Sequence, residues 1–306
     1  MTRPPLPAHV RIVEVGPRDG LQNEAAPVDT ATKVALVDAL SDAGLPVIEV
    51  GAFVSARWVP QMADTADVFR RIRQRAGVQY TALVPNTTGL RRAIDAGVTE
   101  IGIFAAASET FSRRNINQGV DESLAAYAEI AREARQAGIR VRAYLSTAFG
   151  CPYEGGVPIA RVVNVAEQLL DMGAYEVAVS DTIGVAHPGQ VWDVLAALED
   201  RVPIARLALH FHDTRGTALA NVLAALQTGV STFDASAGGL GGCPYAPGAA
   251  GNLATEDLVS MLDGLNIETG VDVRGVLSAS AAIEPLLGHP LPSRYVRAFR
   301  QSSPES

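Results

Sequence analysis

The 306-residue sequence contains a single lysine, Lys33, beside 24 arginines. Lys33 lies between Thr32 and Val34, in a segment whose apolar spacing is typical of an outer helix. A Schiff-base mechanism and a Walker-type phosphate loop each require a lysine placed at the reacting group. The sequence therefore argues against both kinds of chemistry.

Cysteine is nearly as rare, with only Cys151 and Cys243 in the whole chain. Two cysteines are too few to form a disulfide framework in a protein of this length. We expect both to be thiols in a reducing compartment, and we predict a cytoplasmic protein.

Positive charge and long apolar runs are also scarce. The net charge is −8 and the arginines are spread thinly, so we expect no nucleic-acid partner and no attraction to an anionic membrane. The first eight residues hold Arg3 and three prolines, and charged residues interrupt the next apolar stretch. We accordingly expect neither a signal peptide nor a membrane-spanning helix.

What the chain does contain is a repeated unit of helix, glycine and strand. A glycine just past a helix end adopts the left-handed conformation at little cost. Six glycines stand between a segment of helical spacing and an apolar run: Gly44, Gly77, Gly97, Gly138, Gly173 and Gly229. Eight strands are predicted, over residues 10–15, 47–53, 79–84, 100–105, 140–145, 176–180, 207–211 and 232–235.

Eight alternations of strand and helix predict an α/β fold of the (β/α)₈ TIM-barrel type. An open doubly wound sheet is disfavoured because it usually has fewer strands and because no GxGxxG motif follows the first strand. We predict one catalytic domain over residues 1–306, with the barrel at about 10–268. Residues 269–306 would form a helical or irregular appendage, and this could contribute to a homo-oligomer, with a dimer favoured.

Polar residues follow several of the predicted strands, at the end of a barrel where active sites lie. His210 and His212 are two residues apart on a strand, so their side chains point the same way. Asp19 and Asn252 follow other strands and can complete a mixed nitrogen and oxygen set, which suits Mg²⁺ or Mn²⁺ better than tetrahedral Zn²⁺. Non-haem iron stays open, as do structural roles: hydrogen-bonded histidines, a turn acid at Asp19 and a helix cap at Asn252.

Two further residues carry possible chemistry. Arg18 could hold a carbonyl oxygen that becomes an enolate, or could form a salt bridge to Glu49, and both roles are compatible. Cys243 lies in the glycine-rich segment 238–252, where a thiol could deliver a proton to a carbanion. The alternative for Cys243 is a small buried apolar residue.

Several long motifs resemble one enzyme family. They are Val13–Glu24, Phe104–Glu109, Asn115–Asn117, Ser180–Gly184, and Gly238–Asn252 with Ala254–Leu258. They are similar to those of 3-hydroxy-3-methylglutaryl-CoA (HMG-CoA) lyase, and the likeness covers about residues 10–290. The resemblance implies a metal-dependent lyase that cleaves HMG-CoA, an acyl-CoA substrate, to acetyl-CoA and acetoacetate, as in leucine degradation.

The resemblance also implies roles for individual residues. The metal ligands would be Asp19, His210, His212 and Asn252, and either Asp19 or His210 would be the base that removes the hydroxyl proton. Arg18 would stabilise the enolate oxygen, Cys243 would donate a proton to the enolate, and Glu49 and Asp181 would support Arg18 and the metal shell. Substrate contacts would come from Arg18, Gln22, Tyr144 and Thr182.

Two departures and three alternatives accompany this interpretation. Ala52 and Ala25 stand where relatives carry a serine and a basic residue, which could alter the acyl pocket and a CoA phosphate contact.

The nearest alternative is a sister lyase for another 3-hydroxy-3-substituted acyl-CoA, such as citramalyl-CoA. A condensing synthase is less favoured because those relatives add a further domain. A non-catalytic binding protein would require neither Arg18 nor Cys243.

Overall fold

The computed structural model describes residues 5–25, 27–241 and 251–302, with side chains up to residue 300. Eight parallel strands form a closed barrel in sequence order, and β1 pairs with β8 to complete it. The prediction of a TIM barrel is confirmed, and each predicted strand matches the observed one to within one residue at either end. The strands are β1 Arg11–Glu14, β2 Val47–Ala52, β3 Gln79–Leu83, β4 Glu100–Ala106, β5 Arg140–Ser146, β6 Val177–Asp181, β7 Leu207–Phe211 and β8 Thr232–Ala235.

Helices surround the barrel and bury apolar faces on the strands. Those between or directly after strands are α1 Thr30–Asp42, α2 Thr65–Arg71, α3 Thr87–Asp95, α4 Glu109–Ile116, α5 Val120–Gln136, α6 Ile159–Asp171, α7 Pro188–Glu199, α8 Ala218–Leu226 and α9 Thr255–Gly264. All six glycines that were predicted to end helices have positive φ, between 74° and 104°. Five of them follow a helix end within three residues, as expected, whereas Gly77 lies in the loop six residues after α2.

The segment after residue 268 forms two more helices, α10 Val273–Leu287 and α11 Arg294–Ser302. Helix α10 packs against α1, and the amide of Asp272 donates to the carbonyl of Ala43 over 2.8 Å. The start of α11 is fixed to α9 because Asp257 accepts from the Ser293 hydroxyl at 2.7 Å. The appendage is thus helical and is packed on the barrel's outer layer.

Charged side chains fill part of the barrel interior. Arg142, on β5, is only 1% exposed, and its Nη2 donates to Asp234 Oδ1 on β8 over 2.6 Å. Its Nε donates to Glu176 Oε1 over 2.7 Å, and Arg11 pairs with the same Glu176 at the amino end of the barrel. Because β5 and β8 are not neighbours, these contacts cross the barrel and close its centre.

Lys33 lies on α1, as predicted, and is used structurally. Its ammonium donates to the Gln61 carbonyl at 2.5 Å and to Asp64 Oδ1 at 2.6 Å. Cys151 is a buried free thiol. None of the helices in the described part of the chain combines the length and apolar character needed to span a bilayer.

Candidate metal centre and active site

The first loop presents Arg18 and Asp19 above β1. Residues Gly16–Gly20 form a single wide π-helical turn, in which the amides of Arg18, Asp19 and Gly20 all point at the carbonyl of Val15. Turns of this kind are rare and concentrate at functional sites. The carboxylate of Glu14 holds the turn from below by accepting from the Gly16 amide over 2.8 Å.

The two histidines lie at the carboxyl end of β7. Both are 7% exposed, and their ring centroids are 5.2 Å apart, so their side chains share one face as the strand period predicts. Residues 251–254 run alongside, because the Leu253 amide donates to Phe211 O over 3.1 Å and Asn252 bridges to His212. This pairing brings Asn252 to the histidines.

Asp19, His210 and His212 each place a possible ligand atom within 4.8 Å of the other two. Asn252 joins them, since its amide nitrogen donates to Asp19 Oδ2 and to the Leu240 carbonyl, both at 3.0 Å. Those two bonds use both amide hydrogens of Asn252 and leave its oxygen free to accept. Helix α9 is capped by Ala254 rather than by Asn252, so the cap alternative is wrong.

Two buried atoms of this cluster support the metal interpretation. Among the described residues, neither Asn252 Oδ1 nor His212 Nδ1 has a hydrogen-bond partner. Buried polar atoms rarely stay unpaired, and a bound ion can serve as the partner that the protein itself does not provide. The carboxylate, two imidazoles and amide oxygen therefore fit a divalent cation.

The protonation states of Asp19 and His212 favour ligation. Burial would raise the pKa of Asp19, but Arg18 and the two histidines outweigh it and lower the pKa to about 2. Burial and the neighbouring His210 lower the pKa of His212 to about 3. Burial lowers the pKa of His210, but the neighbouring Asp234 outweighs it and raises that pKa. At neutral pH the carboxylate is thus ionised and the His212 imidazole neutral, which are the forms that bind metals.

Arg18 is fixed beside this cluster by two carboxylates. Its Nε donates to Glu49 Oε2 over 2.5 Å, and its Nη1 donates to Asp19 Oδ1 over 2.6 Å. The predicted salt bridge to Glu49 is present. Glu49 also accepts from the Tyr144 hydroxyl over 3.1 Å, and the guanidinium carbon lies 5.6 Å from the centre of the Tyr144 ring. The cation is therefore held in one orientation by three partners.

The remaining predicted residues are more dispersed. Gln22 follows the first turn, and its buried Oε1 has no partner among the described residues. Asp181 accepts from the amides of Val185 and Ala186, so its contacts brace the loop after β6. Thr182 accepts from the Thr147 amide over 2.8 Å. Cys243 lies outside the described residues.

Three important residues were missed by sequence reasoning. Asp234 accepts from His210, Arg142 fixes Asp234, and Glu14 supports the first turn. Each is a charged residue inside a short buried strand, where an unpaired charge would be costly. That unusual placement was the available signal, because it implies a buried partner.

Comparison with known proteins places the chain in a family. A family model described as HMGL-like matches residues 9–283. The chain belongs to the hydroxymethylglutaryl-CoA lyase family. The mitochondrial hydroxymethylglutaryl-CoA lyase of Bos taurus is 54% identical over 96% of this chain and 90% of its own length. The Bacillus subtilis hydroxymethylglutaryl-CoA lyase is 50% identical over 97% of this chain and 100% of its own length.

One sequence comparison and one structural comparison with Pseudomonas aeruginosa extend this result. A 3-hydroxy-3-isohexenylglutaryl-CoA/hydroxymethylglutaryl-CoA lyase is 53% identical over 96% of this chain and 98% of its own. A crystal structure of hydroxymethylglutaryl-CoA lyase superposes with a TM-score of 0.95 at 52% identity, covering 97% of this chain and 99% of that one. The resemblance seen in the sequence motifs is confirmed, and the carbon–carbon lyase class follows from the family.

Proposed function

We propose that this protein cleaves 3-hydroxy-3-methylglutaryl-CoA to acetyl-CoA and acetoacetate, using Mg²⁺ or Mn²⁺. The main observation behind this proposal is the convergence of Asp19, His210 and His212 within 4.8 Å, directly beside the fixed cation of Arg18. The named activities of relatives that are at least 50% identical over nearly the whole chain support the same reaction.

Asp19, His210, His212 and Asn252 would hold the ion. When bound, the divalent cation supplies a Lewis acid that makes the substrate's tertiary hydroxyl easier to deprotonate. Mixed carboxylate, amide and imidazole sets suit Mg²⁺ and Mn²⁺, which leave positions for a chelating substrate. A citramalyl-CoA specificity is not favoured, because the relatives are named for glutaryl-CoA substrates.

The protein's own groups would carry the proton and charge movements. Asp19 or His210 accepts the hydroxyl proton, the carbon–carbon bond breaks, and its electron pair passes to the thioester enolate. Arg18 holds the enolate oxygen through charge-assisted hydrogen bonds, while Glu49 and Tyr144 prevent the guanidinium from turning away. Cys243 then protonates the enolate carbon to give acetyl-CoA.

A longer substituent on the glutaryl chain is the second candidate substrate, because one relative is named for an isohexenyl substrate as well. The reacting atoms would be identical, so only the acyl pocket would differ. Comparing kcat/KM for the methyl and isohexenyl thioesters separates the two. We further propose that the protein is a homodimer, which sedimentation analysis would test. We also propose a cytoplasmic location, which cell fractionation would test.

The decisive assay incubates the protein with HMG-CoA, Mg²⁺ and a thiol reductant and follows acetoacetate. We expect Cys243→Ala to lose nearly all turnover while the substrate still binds, since only proton delivery is removed. Cys151→Ser is the matched control, because that thiol lies in a separate buried cluster with Phe111. Unchanged turnover in Cys243→Ala would remove the thiol from the mechanism, and no acetoacetate from wild type would refute the function.

A further inference from the structure

His210 is paired with a buried carboxylate on the neighbouring strand. The register of β7 and β8 sets His210 opposite Asp234, and His210 Nδ1 lies 3.3 Å from Asp234 Oδ2. Both side chains are buried, with Asp234 only 1% exposed. Water is therefore excluded from this contact, and the carboxylate is the acceptor for that ring nitrogen.

Asp234 is itself held from its other side. Arg142 donates to Oδ1 over 2.6 Å, and its second nitrogen lies 3.4 Å from Oδ2. Arg142 in turn is fixed by Glu176, which also pairs with Arg11. Two arginines and two carboxylates alternate in this chain, so the buried charges balance and Asp234 is kept ionised and oriented.

An ionised carboxylate can only accept hydrogen bonds, so it selects the tautomer of a neighbouring imidazole. With Asp234 as partner, His210 carries its proton on Nδ1 and leaves the Nε2 lone pair free. His212 differs, because its Nδ1 has no partner in the described part of the chain. Carboxylate–histidine–metal arrangements commonly orient and strengthen a ligand in this way.

We propose that Asp234 is a positioning residue that fixes the tautomer of His210 and presents Nε2 to the divalent ion. Because both ring nitrogens are then engaged, His210 has no lone pair for the hydroxyl proton, and Asp19 is left as the base. The inference rests on the metal site of the proposed function and adds a residue that acts through a ligand rather than on the substrate. Arg142 is part of the same device, since it determines which oxygen of Asp234 faces the imidazole.

Asp234→Asn is the informative variant. The amide has one acceptor, which Arg142 would take, so its NH₂ group would face His210 and require Nδ1 to accept. The proton would then move to Nε2 and block ligation, as when asparagine replaces the aspartate of a catalytic triad. We expect Mn²⁺ affinity, measured by electron paramagnetic resonance, to fall about 10- to 100-fold. The exposed Asp67→Asn should bind Mn²⁺ within about twofold of wild type.

Nitrogen NMR of the imidazoles tests the tautomer independently of activity. The chain has five histidines, and a His210→Gln spectrum assigns the signal of interest. At pH 8.5 in the metal-free protein, wild-type His210 should be protonated on Nδ1. Asp234→Asn should move that proton to Nε2 in the metal-free protein, whereas a purely structural role for Asp234 would lower stability and leave the tautomer unchanged.

The outcomes separate this inference from the proposed function. Wild type that binds no Mn²⁺ would overturn the metal site itself. Wild type that binds Mn²⁺ but protonates His210 on Nε2 would overturn the role of Asp234 alone, and so would an Asp234→Asn variant with unchanged affinity. If circular dichroism shows that Asp234→Asn does not fold, the tautomer of His210 in wild type still decides whether Asp234 has the proposed role.

Discussion

The carboxyl group of Glu14 should make the stability of this protein depend on pH in an unusual direction. Glu14 is completely buried at the end of β1, where it accepts from the amides of Gly16 and Ala237, both at 2.8 Å, and from the Thr255 hydroxyl at 2.6 Å. Burial outweighs these hydrogen bonds and raises the pKa of Glu14 from 4.5 to about 7.

The direction of the pH effect on stability follows from whether the folded or the unfolded protein binds the Glu14 proton. Between pH 4.5 and 7, the folded protein keeps the Glu14 proton and the unfolded chain releases it. The contribution of Glu14 is therefore fully present below pH 4.5 and is lost as pH rises to about 7. One pKa unit corresponds to ~1.36 kcal/mol, so the loss is roughly 3 kcal/mol.

Glu14→Gln should remove this dependence, because the amide resembles the protonated acid. Urea unfolding of both proteins at pH 5, 6, 7 and 8 gives the difference in their free energies of unfolding. We expect that difference to shift by roughly 2.5 kcal/mol in favour of the variant between pH 5 and 8, because part of the loss has already occurred at pH 5. The exposed Glu129→Gln serves as the surface control. A difference that stays constant within about 1 kcal/mol, or moves the other way, would refute the reasoning.

Three other predictions concern the site. A Cβ on Gly102 would lie 2.9 Å from the Tyr144 ring. Gly102→Ala should therefore lower the free energy of unfolding in urea by ~1–3 kcal/mol and reduce turnover. Gly264→Ala is the control and should do neither, because a Cβ there meets open space. Arg18→Lys cannot reach both carboxylates, and we expect kcat to fall ~10²–10³-fold without a change in circular dichroism. Mn²⁺ at 100 times its Kd should raise Tm by about 5 °C. Chelation, or His212→Ala, should abolish that rise.

Each of those three predictions has a distinct contrary result. Gly102→Ala with wild-type stability would mean that Tyr144 can shift without cost. Arg18→Lys with kcat within a few-fold of wild type would show that any cation suffices there. A Tm that is unaffected by Mn²⁺ in wild type would mean that the folded protein binds no such ion, and a rise that persists in His212→Ala would place the ion elsewhere.

The barrel could be predicted because its signals are local. A buried parallel strand is apolar along its length, and a helix that ends in a left-handed glycine is marked by that glycine alone. Gly173, for example, has φ of 104° and follows α6, as its place in the sequence indicated. Such features require no knowledge of distant residues.

The ligand set was accessible for a related reason. Barrel topology gathers the carboxyl ends of all strands, so residues that follow strands can be assumed to converge even when they are as far apart as Asp19 and Asn252. The structure brings these two within 3.0 Å. The grouping of Asp19, His210 and His212 was therefore predicted correctly, whereas their chemical roles stay predictions.

The supports of the site could not be predicted in the same way. Which residue faces His210 depends on the register of β7 against β8, and which residue reaches Asp234 across the interior depends on how the closed barrel staggers its strands. A one-residue slip would reverse the direction of every side chain. The Asp234–Arg142 pair thus emerges only from the folded structure.

The ionic plug formed by Arg142 with Asp234 and Glu176 also has a kinetic consequence. Because these ion pairs block the barrel interior, the thioester cannot pass through to the amino ends of the strands. Substrate and both products must therefore enter and leave at the carboxyl ends. We therefore expect ordered release, in which the fragment nearer the opening leaves before the deeper one. Inhibition patterns by the two products would reveal that order.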